Sequence, residues 1–437
     1  MISLAEVRLW GNTIGAVQWD TATALGVFEY SPSFLSSNIQ LSPIHMPLQA
    51  GPMSFPGLRR ESYKGLPGLL ADALPDAFGN LLIDQWLVAQ GRDPKSFNPV
   101  ERLLYMGSRG MGALEFAPAT ARQALPEQAL MVDELVRLAN RALVQKEQLK
   151  TQFDHTKGQL QAQEDSLRQI ISVGTSAGGA RAKAVIAWNE ETGEVRSGQL
   201  PCSGHFKHYL LKFDGVDGNR DKELADPQGY TRIEYAYYLL ALMAGIHMMP
   251  SRLLEENGRA HFMTQRFDRT PAGEKLHMQT LCGLAHFDFN WAGGYSYEQC
   301  FQVMRQIGLA ADAIKQQYLR MMFNVVFRNQ DDHTKNIAFL MNKRGQWQLS
   351  PAYDVTFSYN PNGVWTSSHQ MTVNGKRDQF QCSDLYACGR SADLDRSEVD
   401  DILGRLLDIQ HRWLECAQQA GVSAVHAQEI AGHFRNF

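Results

Sequence analysis

Hydrophobic and polar residues alternate with a period of two at the start of the chain and change to a helical spacing further on. Two alternating runs flank Gly11-Asn12 in AEVRLWGNTIGAVQWD, which predicts a β-hairpin. From Leu66 the apolar residues follow helical spacing, and Pro75-Asp76 predicts the first turn of a second helix. We therefore predict a small α/β subdomain over residues 1–125.

The rest of the chain is predicted to contain a linker and two lobes. Residues 126–168 are dominated by Ala, Leu, Gln, Glu and Lys, which favour helices, and predict a helical linker. Strand patterns return over 169–270, together with an apolar helix at 233–244 and a hairpin in RLLEENGRAHFMTQRFDR. Residues 271–437 are mostly helical after Ser296, interrupted only by a hairpin near 337–349. Strands followed by helices indicate an α+β, two-lobed protein.

Composition restricts the class of protein. Of the 437 residues, 44% are hydrophobic, which excludes wholesale disorder. The chain has 42 Lys and Arg against 46 Asp and Glu, and this lack of excess positive charge argues against a protein that coats nucleic acid. The longest apolar run, from Tyr235 to Pro250, is shorter than a membrane span and contains His247. The N-terminus lacks the pattern of a secretory signal, and the 6 cysteines form no CxxC pair. We therefore expect a reduced, cytoplasmic protein without membrane contact.

The segment FRNQDDHTKNIAFLMNKRGQWQLSPAYDV carries the most informative chemistry. Asp331 and Asn336 form a D-x-x-x-x-N pattern, and two strands around the turn-like Asn342 to Gly345 are predicted to return Asp354 beside them. Phosphoryl transfer from ATP needs one carboxylate that accepts a hydroxyl proton, and an amide oxygen and a second carboxylate that hold Mg²⁺. Because Asp and Asn also favour turns, a purely structural role is the alternative.

Upstream segments contain further parts that a kinase requires. SVGTSAGGARAKAVIAW predicts a strand, a glycine-rich turn that lets main-chain N–H groups approach phosphates, and a second strand. Lys212 lies inside the apolar strand HYLLKFDG, and Glu234 at the start of the apolar helix could pair with it. The strand from Phe262 to Phe267 could offer main-chain groups to an adenine edge. A loose hairpin turn, a lysine at a sheet edge and a helix N-terminal carboxylate are the structural alternatives. His205, His208 and His333 lack the spacing of a zinc site.

These motifs resemble those of the HipA family of serine/threonine kinases, which are the toxins of bacterial type II toxin–antitoxin modules. SAGGARAKA, YLLKF, QRFDR, DDHTKN and SPAYDV occur in the order of that family, and VRLWGNTIGAV, FEYSPSFL and LPGLLADALPDAFGNLLI resemble its N-terminal subdomain. The resemblance implies a two-lobed protein-kinase-like fold. In it the β-rich lobe with the glycine-rich loop binds ATP and the mostly helical C-terminal lobe carries catalysis.

The resemblance also implies roles for individual residues. Asp331 would be the catalytic base, Asn336 and Asp354 would bind Mg²⁺, and Ser176 would be autophosphorylated, with Ser172 and Thr175 as alternatives. Contacts with ATP would be made by Ala177, Gly178, Gly179, Ala180, Lys183, Lys212, Gln265, Arg266, Phe267, His333, Lys335, Asn336 and Asp354. Two residues depart from the family pattern: Arg181 stands where many relatives have glutamine, and Asp332 where some have glycine.

The expected function is an ATP- and Mg²⁺-dependent protein serine/threonine kinase that acts as a growth-inhibiting toxin. The resemblance implies a HipB-like helix-turn-helix antitoxin as partner, operator DNA contacted only through that antitoxin, and an aminoacyl-tRNA synthetase as a candidate substrate. A kinase of small molecules or lipid headgroups is one alternative. A nucleotide-binding co-repressor scaffold without catalysis is the other.

Overall fold

A computed structural model describes residues 2–119, 130–148, 181–199, 205–216, 220–221, 224–225 and 229–437 of the protein. The chain divides into two compact units. The first contains Met1–Ile39, Leu48–Gln228 and Leu254–His277, and the second contains Gln40–Pro47, Gly229–Leu253 and Met278–Phe437. Each unit is therefore built from segments that are distant in the sequence.

The first unit begins with an antiparallel sheet of strand order β3-β2-β1-β4. Trp10 and Gly11, at φ of 49° and 80°, form its first hairpin turn, so the predicted hairpin is confirmed and its turn lies one residue earlier than predicted. Asp76 caps the helix α4 by accepting a hydrogen bond from Gly79 N at 2.6 Å. The elements are β1 (Leu4–Leu9), β2 (Asn12–Asp20), β3 (Leu25–Tyr30), α1 (Pro32–Leu35), α2 (Arg60–Tyr63), α3 (Gly68–Ala71), α4 (Ala77–Ala89), a 3₁₀ turn (Pro94–Ser96), α5 (Pro99–Met106) and β4 (Leu114–Ala117).

A second sheet of the first unit has the strand order β10-β11-β7-β5-β6. Its strands are β5 (Lys183–Asn189), β6 (Val195–Ser197), β7 (Phe206–Lys212), β10 (Ser251–Glu256) and β11 (Arg259–Gln265), and a separate ladder joins β8 (Arg220–Asp221) and β9 (Leu224–Ala225). The helices α4 and α6 (Val132–Gln148) share a buried apolar cluster with this sheet, which includes Phe78 and Ile186. The antiparallel register places Lys183 and Phe262, on the two neighbouring strands, opposite Lys212.

The second unit is mostly helical. Its helices are α7 (Tyr230–Ala244), α8 (Leu281–Ala285), α9 (Tyr297–Gln306), α10 (Ala311–Val326), α11 (Cys382–Ser391), α12 (Arg396–Gln410), α13 (Trp413–Gln419) and α14 (Ala424–Ala431). A sheet of order β12-β13-β14 contains β12 (His277–Thr280), β13 (Ala338–Met341) and β14 (Trp347–Leu349). Tyr237, Phe323 and Trp413 are fully buried in the helical core, where their rings pack edge to face around Tyr237. In the part of the chain that the structure describes, no helix has the length and apolar character that crossing a membrane requires.

The structure confirms the other predicted hairpins and the apolar helix. Strands β10 and β11 form one hairpin, β13 and β14 form the other, and α7 begins three residues earlier than predicted. The prediction that only one hairpin interrupts the C-terminal helices is wrong, because residues 350–381 form neither helix nor strand. This stretch is rich in Asn, Ser and Gly, whose local hydrogen bonds and turn preferences compete with regular structure. The predicted strand and glycine-rich turn at 169–180 lie outside the described residues, and the boundaries at 125, 168 and 270 stay predictions.

Candidate active site

The DDHTKN motif lies in the segment between α10 and β13. Arg328, at a left-handed φ of 57°, turns the chain away from the helix. The main-chain N–H of His333 then donates to the oxygen of Asp331 at 2.9 Å, and that of Asn336 donates to His333 at 2.8 Å. The second of these bonds closes the 3₁₀ turn Thr334–Asn336, which is followed by β13. The sheet and the helix therefore fix both ends of the motif.

Asp331 is the partly exposed carboxylate of the motif. Its Oδ1 accepts a hydrogen bond from the Trp365 indole Nε1 at 2.6 Å and lies 4.0 Å from His333 Nε2. Its main-chain oxygen accepts a hydrogen bond from Asn336 Nδ2 at 2.8 Å. The side chain is 19% exposed, as a group that accepts a proton from a substrate must be.

Asp332 is a buried, structural carboxylate. Its Oδ2 accepts hydrogen bonds from the Tyr297 hydroxyl at 2.8 Å and His369 Nδ1 at 2.9 Å, and its Oδ1 accepts one from Gln370 N at 2.7 Å. Burial by itself raises the pKa of Asp332, but the interactions with His369, Gln370 and Tyr297 outweigh burial and lower that pKa below the usual carboxyl value. A carboxylate that is ionised and already holds three donors is poorly suited to a substrate. The role of Asp331 as the base, which the spacing to Asn336 indicates, stays a prediction.

His369 is held on its other side by Arg435. Arg435 Nη1 lies 2.9 Å from His369 Nε2. Because a guanidinium can only donate, Nε2 is the acceptor and Nδ1 carries the proton that is donated to Asp332. Arg435 Nη2 also donates to Asp378 Oδ1 at 2.5 Å. Trp365, His369 and Arg435 were not predicted as site residues, because no motif or spacing in the sequence connects them with the residues that they contact.

Asn336 and Asp354 line one pocket of the second unit together with Asp332 and His333, and Asp331 lies next to this lining in the chain. The amide nitrogen of Asn336 donates to the main chain of Asp331, so its amide oxygen is the atom to offer to a cation. Asp354 has a φ of 52°, and strained backbone of this kind is found where a side chain must take a defined direction. An amide oxygen and a carboxylate are the hard ligands that Mg²⁺ prefers, so the residues present fit this ion.

The other two residues of the motif with predicted ATP contacts pack on one aromatic ring. The Lys335 ammonium lies 4.5 Å from the centre of the Phe289 ring, and the His333 ring meets Phe289 edge-on at 5.6 Å. The Tyr353 hydroxyl donates to the main-chain oxygen of Lys335 at 2.5 Å, which connects the segment that carries Asp354 to the motif. The contacts of His333 and Lys335 with ATP stay predictions.

In the first unit, Lys183 and Lys212 lie side by side on one face of the second sheet. They are directly opposite each other on β5 and β7, and both are buried. Lys183 Nζ lies 3.9 Å from Asp76 Oδ2, and Lys212 Nζ lies 5.9 Å from the centre of the Phe262 ring. A lysine ammonium is a compact positive charge with three donors and is a common ligand of phosphate. This arrangement suits a phosphate ligand.

The predicted adenine-binding segment ends the strand β11. Gln265 is opposite Tyr209 in the sheet, and the main-chain N–H of Arg266 donates to His208 O at 2.9 Å. Phe267 follows in a turn outside the strand. The segment therefore follows the end of an interior strand that neighbours the strand of Lys212, and its contact with adenine stays a prediction.

The side chain of Arg266 belongs to a buried ion-pair cluster. Arg266 binds both oxygens of Asp268, at 2.8 and 2.7 Å, and Arg269 Nη1 and Gly112 N each donate to Asp268 Oδ2 at 2.7 Å. Burial raises the pKa of Asp268, but the two guanidinium groups lower it far below the usual value. The contact of Arg266 with ATP stays a prediction. The R-x-D-R spacing in QRFDR is the sequence signal for this cluster.

Several predicted positions remain untested by the geometry. Ser172, Thr175, Ser176, Ala177, Gly178, Gly179 and Ala180 lie outside the described residues. Glu234 is buried on α7, and its pairing with Lys212 stays a prediction. The structure brings together Asp331, Asn336, His333 and Asp354 in the second unit, and Lys183 and Lys212 in the first.

Two family models match the chain. One, described as the HipA N-terminal domain, matches residues 5–117, and the other, the HipA-like C-terminal domain, matches residues 175–433. A curated relative, "Putative kinase Y4mE" of Sinorhizobium fredii, is 26% identical over 166 residues. That match covers 36% of this chain and 37% of the relative, so it spans little more than a third of either protein.

A solved structure resembles almost the whole chain. It is HipA of the Shewanella oneidensis MR-1 toxin–antitoxin system, in a complex with HipB and its operator DNA. The two proteins are 18% identical, with a TM-score of 0.65 over 98% of this chain and 94% of the other. The similarity confirms the predicted α+β fold of the kinase-like type.

Proposed function

The chain belongs to the HipA family, and on that premise we propose that it is an ATP- and Mg²⁺-dependent protein serine/threonine kinase. One observation carries the proposal. The main-chain oxygen of the partly exposed Asp331 accepts a hydrogen bond from Asn336, which lines a pocket with Asp354 and Asp332, and Asp332 is buried and already accepts three hydrogen bonds. A kinase site requires one carboxylate that accepts a proton, two oxygen ligands for Mg²⁺ and a residue that supports them, and these residues can fill those roles.

In the proposed reaction, the oxygen of an acceptor hydroxyl bonds to the γ-phosphorus of ATP while the bond from that phosphorus to the oxygen of ADP breaks. Asp331 accepts the proton that the hydroxyl loses. Asn336 and Asp354 would hold Mg²⁺, which would supply neutralisation of the phosphate charge. Lys183 and Lys212, which lie opposite each other in the first unit, are the proposed phosphate ligands that the family resemblance implies.

We extend the proposal to a toxin of a toxin–antitoxin module. A HipB-like helix-turn-helix antitoxin is the expected partner, and operator DNA is contacted only through it. The balance of 42 basic and 46 acidic residues supports this indirect contact, since the chain has no surplus of cations for phosphate. An aminoacyl-tRNA synthetase is the proposed class of protein substrate, and the cytoplasm is the proposed location.

Incubation of the purified chain with γ-labelled ATP tests the kinase assignment. With Mg²⁺, label is expected on the chain itself at Ser176, mapped by mass spectrometry, and on a protein of a cell extract. Chelation of the metal and the matched variant Asp331→Asn should each remove the label. Label at Thr175 or Ser172 would show that a different residue is autophosphorylated, and the protein would still be a protein kinase.

The labelling experiment, combined with a growth assay, distinguishes the two alternative functions. Phosphate that is transferred only to small molecules, with no labelled protein, would indicate a small-molecule or lipid-headgroup kinase. Nucleotide binding without any transfer, together with growth inhibition that persists in Asp354→Ala, would indicate a co-repressor scaffold.

A further inference from the structure

The Trp365 side chain contacts the proposed catalytic base directly, although no sequence motif includes it. Its indole Nε1 donates a hydrogen bond of 2.6 Å to Asp331 Oδ1. Trp365 lies in the irregular stretch 350–381 and is partly buried, whereas its neighbour Val364 is 94% exposed. The chain therefore holds a large aromatic side chain against the base while the adjacent side chain points into solvent.

The main chain at Trp365 is fixed to the segment that precedes the base. Gln370 Nε2 donates to the oxygen of Trp365 at 2.6 Å and to that of Gln330 at 3.1 Å. Gln330 Nε2 donates in turn to the oxygen of Thr366 at 3.3 Å. Gln370 and Gln330 are both buried, so these bonds are shielded from water. The position of the indole relative to Asp331 is thus set by bonds on both sides of the contact.

We propose that Trp365 is a positioning residue, which fixes the plane of the Asp331 carboxylate toward the hydroxyl of the substrate. An aspartate side chain can rotate about two bonds, and only some orientations point an oxygen at an incoming hydroxyl. One strong hydrogen bond to Oδ1 restricts both rotations before the substrate arrives, which lowers the entropy lost in reaching the reactive arrangement. The inference rests on the proposed role of Asp331 as base.

The test replaces the indole and follows the steps of the reaction separately. Trp365→Phe keeps an aromatic ring and removes the N–H donor, and Val364→Ala in the same loop is the matched control. We expect Trp365→Phe to lower kcat for phosphoryl transfer on the order of tenfold to a hundredfold, with KM for ATP unchanged. Val364→Ala should keep the wild-type kcat. An unchanged or increased kcat in Trp365→Phe would overturn the proposal, and an increase would indicate that the indole blocks the base instead.

A double variant separates positioning from a general structural effect. If Trp365 acts only through Asp331, adding Trp365→Phe to Asp331→Asn should cause no further loss of the residual rate. A further loss of the same size as in the wild-type background would show a structural role and overturn the proposal. Should Trp365→Phe fail to fold, replacement of Trp365 by β-(3-benzothienyl)alanine removes the N–H donor and keeps the shape of the indole, and the same outcomes apply. Full activity of Asp331→Asn would show that the proposed function of Asp331 is wrong. An inactive Asp331→Asn together with a fully active Trp365→Phe would show instead that only the proposed role of Trp365 is wrong.

Discussion

Replacing Asp332 by asparagine is expected to destabilise the second unit. The carboxylate of Asp332 accepts three hydrogen bonds on two oxygens, from Tyr297, His369 and Gln370. Asparagine has one acceptor oxygen and one donating nitrogen, so in either orientation of the amide an N–H group faces at least one of these donors. His369 cannot adapt by moving its proton to Nε2, because Arg435 donates to that atom.

The magnitude follows from the hydrogen bonds that are lost. One buried donor without a partner costs about 1–3 kcal/mol, and the weakening of the charge-assisted bonds that remain adds about 1 kcal/mol, so Asp332→Asn should cost about 2–4 kcal/mol. For a unit of this size the unfolding temperature should fall by on the order of 10 °C. Asp331→Asn should cost less than about 1 kcal/mol, because the side chain is partly exposed and its amide oxygen still accepts from Trp365. Its rate of phosphoryl transfer should fall by about 10²- to 10⁴-fold.

Scanning calorimetry and transfer from labelled ATP, measured on the same preparations, check both expectations. The pH dependence of the unfolding free energy is a second measurement. Because the folded-state pKa of Asp332 is lowered, its contribution to stability is complete above the pKa of the unfolded chain, about 3.9, and is lost as the pH falls through the folded value. The difference in unfolding free energy between wild type and Asp332→Asn should therefore narrow only below about pH 4. The reasoning is refuted if Asp331→Asn is the destabilised variant, or if Asp332→Asn unfolds at the wild-type temperature.

Two further changes test other contacts. Lys212→Met should lower the affinity for ATP at least about tenfold, measured by calorimetric titration. An unchanged ATP affinity would contradict the role given to Lys212. Arg435→Ala removes the donor to His369 together with hydrogen bonds to Asp378 and Val325, and should cost about 2–4 kcal/mol in denaturant unfolding. A cost below about 0.5 kcal/mol would show that this support is dispensable.

The local elements of the fold were predictable because their causes are local. Alternation of apolar residues over a few positions is enough to predict the hairpins β1–β2, β10–β11 and β13–β14, and a continuous apolar run predicts α7. The long stretch 350–381 was mispredicted, since a segment without regular structure is shaped by contacts with distant residues rather than by its own periodicity. Trp365 lies in this stretch, which is why its contact with Asp331 had no sequence signal.

The candidate site likewise combines features that the sequence predicts with features that depend on contacts between distant residues. The D-x-x-x-x-N spacing and the order of the motifs are properties of the sequence, and they are sufficient to predict Asp331, Asn336 and Asp354 as a set. Two adjacent aspartates, however, have the same chemistry along the chain. Asp332 is buried by Tyr297 and other distant side chains, and Asp331 is left accessible, because exposure and ionisation depend on distances in space and not on positions in the sequence. The sequence by itself thus determined the family and the chemical groups, and only the tertiary structure decided which of the two carboxylates is buried in a hydrogen-bond network and which stays partly exposed.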